Sequence, residues 1–343
     1  METVEQTEKP QTYFVRAYSS SQLSNEAYHA DDEYITGSSL FKMLQSSPAG
    51  WRFSEEEERQ KAITARQEKQ KPMAFGTTGH CVLLEPERFE SEFFRMPVQE
   101  EFKDLLTSDA AMKSWLKARG IKGYSALKTD ELIREIHNTG EAVNIWADIF
   151  DNAQKEAGER EQVPGKDYDK VLRMREVIMS NGSYADIINN GQPEISIYCV
   201  IDGVPVKVRL DYVSPQGDII DYKTTVSANP ERFGRHAFDM GYWLKMALQH
   251  DCFKLAYGRA PNKTSLLAQE KEPPFLVLRQ NLTPGQLAVG RMQYRTAIQL
   301  FAACRAADVW PSYANGKNEI DLETPPYIYS KFRHIFEQFE GEK

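Results

Sequence analysis

The spacing of apolar and polar positions changes period several times along the chain, and each change marks an element. Residues 1 to about 34 are polar and acidic and predict a flexible N-terminal arm. At Tyr34 the pattern turns helical. In YITGSSLFKMLQSSPAGWRF, Leu40, Met43 and Leu44 form an apolar stripe behind a Thr36–Ser39 cluster suited to capping, and Ser47-Pro48 stops the run. Residues 54–72 are densely charged and read as a solvated helix or a mobile segment. MAFGTTGHCVLLEPERF follows as a mostly apolar helix that ends before Pro86 and carries two glycines on its first turns.

Residues 98–165 read as a helical insertion, with a charged stretch at Gln154–Gln162 and a break at Pro164–Gly165. Within it, MKSWLKARGIKGYSALKTDELIREI predicts a helix, a Gly-bounded extended piece and a second helix capped by Thr129. That spacing resembles helix-extended-helix modules that touch DNA backbone, with Lys117, Arg119, Lys122 and Lys128 as phosphate contacts. A helical hairpin with a solvated basic face fits the same residues.

From Glu194 the period becomes two. EISIYCVI and VPVKVRLDYV are β-branched, alternating runs separated by Asp202-Gly203, a hairpin signal. A turn at Ser214–Gly217 leads to a third strand, DIIDYKTTV. Helices are predicted over Pro230–Phe238 and Gly241–Gly258, with Gly258 as C-terminal cap, and FLVLRQ reads as a fourth strand. Thr283-Pro284 opens a long helix that runs to about Ala306 and stops before VWPSY, leaving 314–343 as a C-terminal tail. The order of elements predicts an α/β (α+β) fold, without internal repeats or low-complexity tracts.

Composition narrows the function classes less than the patterning does. The 343 residues are 41 % apolar and 27 % charged, ordinary for a globular chain with a sizeable core. Lys and Arg number 42 against 50 Asp and Glu, a formal charge of −8. This argues against coating nucleic acid by bulk charge, yet it leaves room for an enzyme whose basic groups line one groove. The four cysteines are scattered without a C-x-x-C pair, which predicts reduced thiols rather than a disulfide framework, zinc site or iron–sulfur cluster. No apolar signal segment opens the chain and no stretch reaches the length of a membrane span, so a cytoplasmic protein without membrane contact is expected.

The chemistry concentrates in VRLDYVSPQGDIIDYKTT. Asp211 ends the second strand, and Asp221 and Lys223 share one face of the third by alternation, with Tyr222 on the other. A tight turn brings Asp211 beside Asp221. Two carboxylates that close repel unless a cation lies between them, and Mg²⁺ or Mn²⁺, one ion or two, suits such an oxygen-rich site. Lys223 adds a positive charge where a phosphate oxygen or an activated water would lie. The pattern reads as a phosphodiester-hydrolysis kit or, alternatively, as a structural Asp–Lys pair on an exposed strand. Glu194 begins the first strand and can reach the same edge. His80 is either a metal ligand or a satisfied core group. Gln249 shares a helical face with Tyr242, Met246 and Phe253, a stripe that by itself reads as core packing.

Several blocks in order resemble the exodeoxyribonuclease VIII (RecE-type) branch of the PD-(D/E)XK nuclease superfamily, commonly carried by phages and prophages. They are YHADDEYITGSSLFKMLQSSPAGW, FGTTGHCVLLEPERF, PEISIYCVIDGVPVKVRLDYV, DIIDYKTTVSANPERF, GYWLKMALQHDCFKLAYG and VWPSY, covering roughly residues 27–97 and 180–313. The resemblance implies a restriction-endonuclease-like core, a central mixed sheet flanked by helices, formed by residues 35–97 and 166–313. It implies that His80, Asp211 and Asp221 hold metal together with the Tyr222 carbonyl, that Glu194 contacts metal or water, and that Lys223 orients or activates the attacking water. Gln249 matches the glutamine of the family's Gln-x-x-x-Tyr motif, but Phe253 stands where that motif has tyrosine. Tyr242, Gln249, Lys207 and Arg209 are the expected DNA contacts, the last two because they share the parity of Asp211. The implied activity is processive 5′→3′ digestion of one strand from a duplex DNA end, leaving 3′ overhangs for recombination. The implied assembly is a ring-shaped homo-oligomer working with a single-strand annealing recombinase. An endonuclease or Cas4-like relative, or a non-catalytic DNA-binding relative, are the competing readings; no C-x-x-C supports a cluster, and no acidic residue or lysine of the kit is lost.

Overall fold

The three strands predicted by the two-residue period are the spine of the structure, a computed structural model that describes residues 15–67 and 75–340. The strands are β1 (Arg16–Tyr18), β2 (Ile35–Thr36), β3 (Phe93–Arg95), β4 (Glu161–Val163), β5 (Gln192–Ile201), β6 (Val204–Val213), β7 (Ile219–Thr225), β8 (Thr264–Glu270) and β9 (Val277–Asn281). The N-terminal helices are α1 (Asn25–Ala30), α2 (Gly37–Gln45), α3 (Pro48–Gln67), α4 (Phe75–Leu84) and α5 (Pro86–Glu92). Next come α6 (Asp109–Ala118), α7 (Thr129–Asn138), α8 (Trp146–Ala157), α9 (Gly165–Met179) and α10 (Gly182–Asn189). The C-terminal part adds α11 (Pro230–Asp239), α12 (Tyr242–Tyr257), α13 (Pro284–Ala307), α14 (Pro326–Lys331) and α15 (Arg333–Glu340).

The central sheet runs β1-β5-β6-β7-β8-β9, with β2 paired to β6. β5, β6 and β7 form an antiparallel meander, β7 and β8 are parallel, and β9 returns antiparallel, so the sheet is mixed. The parallel step from β7 to β8 is made through α11 and α12, as a parallel pair requires a crossover. Helices cover both faces. On one, α12 and α13 pack Leu244, Leu248 and Tyr294 against Ile197, Val206 and Leu210. On the other, Leu83 and Leu84 of α4 and Ile178 of α9 meet Tyr212, Ile220 and Tyr222.

The structure corrects several expectations. β8 escaped detection because Thr264–Gln269 is buried throughout, and a strand covered on both faces has no polar alternation to read. The N-terminal arm is structured where it is described: β1 extends the sheet on β5, and Tyr18, Tyr28 and Tyr34 surround the Tyr198 ring at 5.8, 6.1 and 4.9 Å. Its first 14 residues lie outside the described ones. Pro48, read as a stop, opens α3, where its missing N–H costs nothing. Part of the charged 54–72 segment belongs to that helix, and residues 68–74 lie outside the described ones.

The chain leaves the core after β3 and returns through β4, and these two strands pair in parallel. Between them α6 and α7 build a separate small core of Met112, Leu116, Leu132, Ile136 and Ile145. Thr129 is the first residue of α7 rather than its cap; the Glu131 carboxylate accepts from the Lys128 N–H at 3.0 Å instead. Arg119 is held by Glu141 at 2.7 Å and lies 3.6 Å over the Trp115 ring, whereas Lys117, Lys122 and Lys128 are exposed.

Gly290 sets the spacing of α12 and α13. A Cβ there would lie 2.1 Å from the Trp243 carbonyl oxygen and 2.9 Å from Ala247 Cβ. Gly290→Ala is expected to push the helices apart and destabilise the protein by about 1–3 kcal/mol, despite alanine's better helix propensity. Chemical denaturation of the two proteins measures it.

Candidate active site in the fork between two strands

β6 and β7 share only two registered pairs, Tyr212↔Ile220 and Val213↔Ile219, and then diverge as β7 continues along β8. The open fork leaves backbone groups without a ladder partner. Asp211 supplies one: its Oδ2 accepts the Tyr222 N–H at 2.9 Å. Across the other edge of β6, Glu194 stands opposite Asp211, between the pairs Pro193↔Tyr212 and Ile195↔Leu210. Its φ of +54° is left-handed, a strained conformation for a side-chain-bearing residue. Alternation slips by one at this point. Leu210 packs under α12, whereas Tyr212 packs with α4 on the opposite face. The slip turns both carboxylates toward the edge of the sheet where α4 delivers His80.

His80 Nδ1 lies 3.3 Å from Asp211 Oδ2. His80, Glu194 and Asp211 each offer one ligand atom within 4.8 Å of the others. Burial, outweighing Asp211, lowers the His80 pKa and keeps the imidazole neutral with a lone pair to donate. Burial first, then the charge of Asp211, raises the Glu194 pKa to about 7 against the pull of Arg209. Two carboxylates and a neutral imidazole converging this closely fit a hard divalent cation, which would hold both carboxylates ionised.

The expected ligand set is regrouped. Asp221 and Lys223 face α12, as alternation requires, and Asp221 is not among the three converging ligands. Instead Lys223 Nζ sits 2.5 Å from Asp221 Oδ2, 3.6 Å from Asp211 Oδ2 and 3.2 Å from the Tyr222 carbonyl. Burial depresses the Lys223 pKa, but the Asp221 and Asp211 charges prevail and hold it up. Asp221 is 6 % exposed, and its Oδ2 makes the ion contact without a well-directed hydrogen bond. Burial, followed by Asp211, raises its pKa.

Two open cavities of unequal size meet at this centre. The smaller is lined by Asp221, Lys223, Tyr242, Lys245 and Gln249 together with Ser38 at the start of α2. The larger is lined by His80, Glu194, Asp211 and Arg88. Tyr28 and Arg209 line both. Lys223 faces the Tyr242 ring at 5.6 Å. Gln249 donates to the Arg209 carbonyl at 3.3 Å, while its buried Oε1 is unpartnered. Phe253, where the family motif has tyrosine, is buried in the main core.

Lys207 and Arg209 do not form the DNA-facing stripe that parity predicted. Lys207 is 3 % exposed, and its ammonium holds the carbonyls of Tyr28 and Asp31. Arg209 meets Glu194 at 2.5 Å and Asn25 at 3.2 Å. The cause is α1, which lies over this face and was read as part of a loose arm. Lys245 was missed. It sits one turn before Gln249 on α12 and beside the same cavity, and extending the stripe by i, i+4 would have found it.

The mixed sheet clad by helices, with acidic residues and a lysine at a fork of two strands, is the PDDEXK-like fold of nucleases. The chain belongs to the family of the PDDEXK-like domain of unknown function (DUF3799), whose model matches residues 37–322. Two solved structures are similar. The crystal structure of a "Putative exonuclease" from Eubacterium rectale overlays with a TM-score of 0.49 at 11 % identity, covering 91 % of this chain and 98 % of that one. The crystal structure of SSO0001 overlays with a TM-score of 0.22 at 13 % identity, covering 65 % and 84 %. No curated protein matches the sequence. Among the described residues no helix is long and apolar enough to cross a membrane.

Glu194 links ion binding to pH. Its folded pKa lies above the usual carboxylate value of 4.5, so its contribution to stability is present below about 4.5 and is lost as pH rises through about 7. Metal-free protein is expected to melt lower at pH 8 than at pH 6, with Glu194→Gln removing most of the difference. The affinity for Mn²⁺ should move oppositely, falling up to about tenfold per unit below pH 7 as protons compete. Thermal melting of the metal-free protein at the two pH values checks the first sign, and calorimetric titration with Mn²⁺ checks the second.

Proposed function

We propose that this protein is a metal-dependent exodeoxyribonuclease that digests one strand of duplex DNA from an end. The observation that supports this best is the strand fork itself, which sets Asp211 between His80 and Glu194 on one side and the Asp221–Lys223 pair on the other. Mg²⁺ or Mn²⁺ held by His80, Glu194 and Asp211 would lower the pKa of a bound water and take up charge from the phosphate. Lys223, kept protonated by Asp221 and Asp211, orients the attacking water and neutralises charge that develops on phosphorus-bound oxygen. Asp221 fixes the lysine. Tyr242, Lys245 and Gln249 line the cavity beside it and would seat the sugar-phosphate strand.

The finer reading follows the resemblance: 5′→3′ polarity, 3′ overhangs for recombination, a ring-shaped homo-oligomer, a single-strand annealing partner, and a phage or prophage origin in a bacterial cytoplasm. The exposed lysines of the insertion, Lys117, Lys122 and Lys128, would contact duplex phosphates ahead of the site. The test is digestion of an end-labelled linear duplex with Mg²⁺ and with chelator, alongside a circular duplex. Release of mononucleotides from the 5′ end with the circle intact is expected. Cutting of the circle while linear ends survive overturns the exonuclease reading, and no cutting of either overturns the nuclease.

A further inference from the structure

The charges around the fork are partnered in an uneven way. Asp221 has Lys223 at 2.5 Å and Glu194 has Arg209 at 2.5 Å, whereas Asp211 shares Lys223 at 3.6 Å and otherwise faces His80. Three carboxylates therefore meet two cations in direct contact, and one negative charge is left over. A single divalent ion turns that remainder into one positive charge, which matches a phosphodiester. Two divalent ions would leave three, and Glu85, the other carboxylate lining the same cavity, is already engaged by Arg88 at 2.9 Å.

Resting on the nuclease reading, we propose that Arg209 stands in for a second metal ion, so that this site works with one divalent cation per chain. The guanidinium is already in place. It is 9 % exposed, Nε meets Glu194, Nη1 donates to Asn25 Oδ1 at 3.2 Å, and its carbon lies 5.3 Å from the Tyr28 ring centre. The contact with Glu194 is ionic rather than well directed, since Nε lacks a hydrogen bond of good geometry. Charge is what Arg209 supplies. Asn25 and Tyr28 belong to α1, which lies before the residues matched by the family model, so the clamp is built from a segment outside the matched region. Arg209 is a positioning residue in this scheme: it neutralises Glu194 on one side while leaving the carboxylate a second oxygen for the ion.

Mn²⁺ binding to the full chain tests the assignment without reference to activity. Calorimetric titration is expected to give one ion per wild-type chain, and the bound Mn²⁺ should keep the six-line paramagnetic resonance spectrum of an isolated ion. Arg209→Met, which removes the charge, is expected to take up a second ion near Glu194, with the six-line signal lost to coupling between ions about 4 Å apart. Arg209→Lys should restore one ion and the isolated spectrum. A second site-bound ion in wild type overturns the proposal even if Arg209→Met fails to fold, and so does a single ion in a folded Arg209→Met protein. A chain that binds one Mn²⁺ but digests no DNA overturns the nuclease reading and leaves the stoichiometry standing.

Discussion

Replacing Lys223 with methionine is expected to slow single-turnover digestion of linear duplex DNA by about a thousandfold or more, while DNA binding persists. The magnitude is that of removing a preorganised charge from a buried reaction centre. Methionine keeps the length and apolar stem, so the loss reports the ammonium. The same change leaves Asp221 buried at 6 % exposure without its cation. Breaking such a pair costs about 3–5 kcal/mol when the survivor stays charged. Asp221 has a way out, because burial and Asp211 already raise its pKa and protonation relieves the remaining penalty. Its folded pKa lies above the unfolded one, so stability falls as pH rises, and losing Lys223 steepens the fall. The variant should therefore approach wild-type stability near pH 5 and fall well below it at pH 8. Retained digestion would remove Lys223 from the mechanism, and a pH-independent stability loss would contradict the Asp221–Lys223 coupling.

Asp211→Asn is the second large effect. The amide oxygen can still accept the Tyr222 N–H, so the fork keeps this bridging hydrogen bond and the fold is expected to survive. The charge shared by His80, Glu194 and Lys223 is lost. Mn²⁺ affinity is expected to drop by at least about a hundredfold, and digestion by about a thousandfold or more. Asp211 also raises the pKa values of Glu194 and Asp221, so both should ionise more easily in the variant. Titration calorimetry reads the affinity, and thermal melting with and without Mn²⁺ shows whether the ion still stabilises the fold. An unchanged Mn²⁺ affinity would place the ion elsewhere.

The two substitutions also separate what each side of the fork does. Under the proposed mechanism Asp211 would serve the ion, and Lys223 with Asp221 the attacking water. Loss of metal affinity in Asp211→Asn but not in Lys223→Met is the expected division.

Local chemistry made the central part of this protein legible. The alternation of VPVKVRLDYV marks β6 at its observed bounds, Thr283-Pro284 marks the start of α13, and Asp221 and Lys223 share a face because β7 keeps the two-residue repeat. The acidic pair and lysine within one hairpin are readable because the turn that joins them is short. What sequence could not decide lies in contacts between distant segments. β8 is invisible because burial on both faces erases its pattern. The left-handed Glu194 and the slip in alternation opposite Asp211 arise from pairing across β5 and β6, and Lys207 and Arg209 are engaged by the distant segment of α1, which parity along β6 does not reveal. The strand and helix of the N-terminal segment carry too few apolar residues to announce themselves, and they form only because β5, Tyr198 and Lys207 receive them. The placement of Asp211, Asp221 and Lys223 on adjoining strands was thus set by short-range pattern. Which carboxylates converge, and which cations are already engaged, was decided by where α1 and α4 come to rest on the sheet.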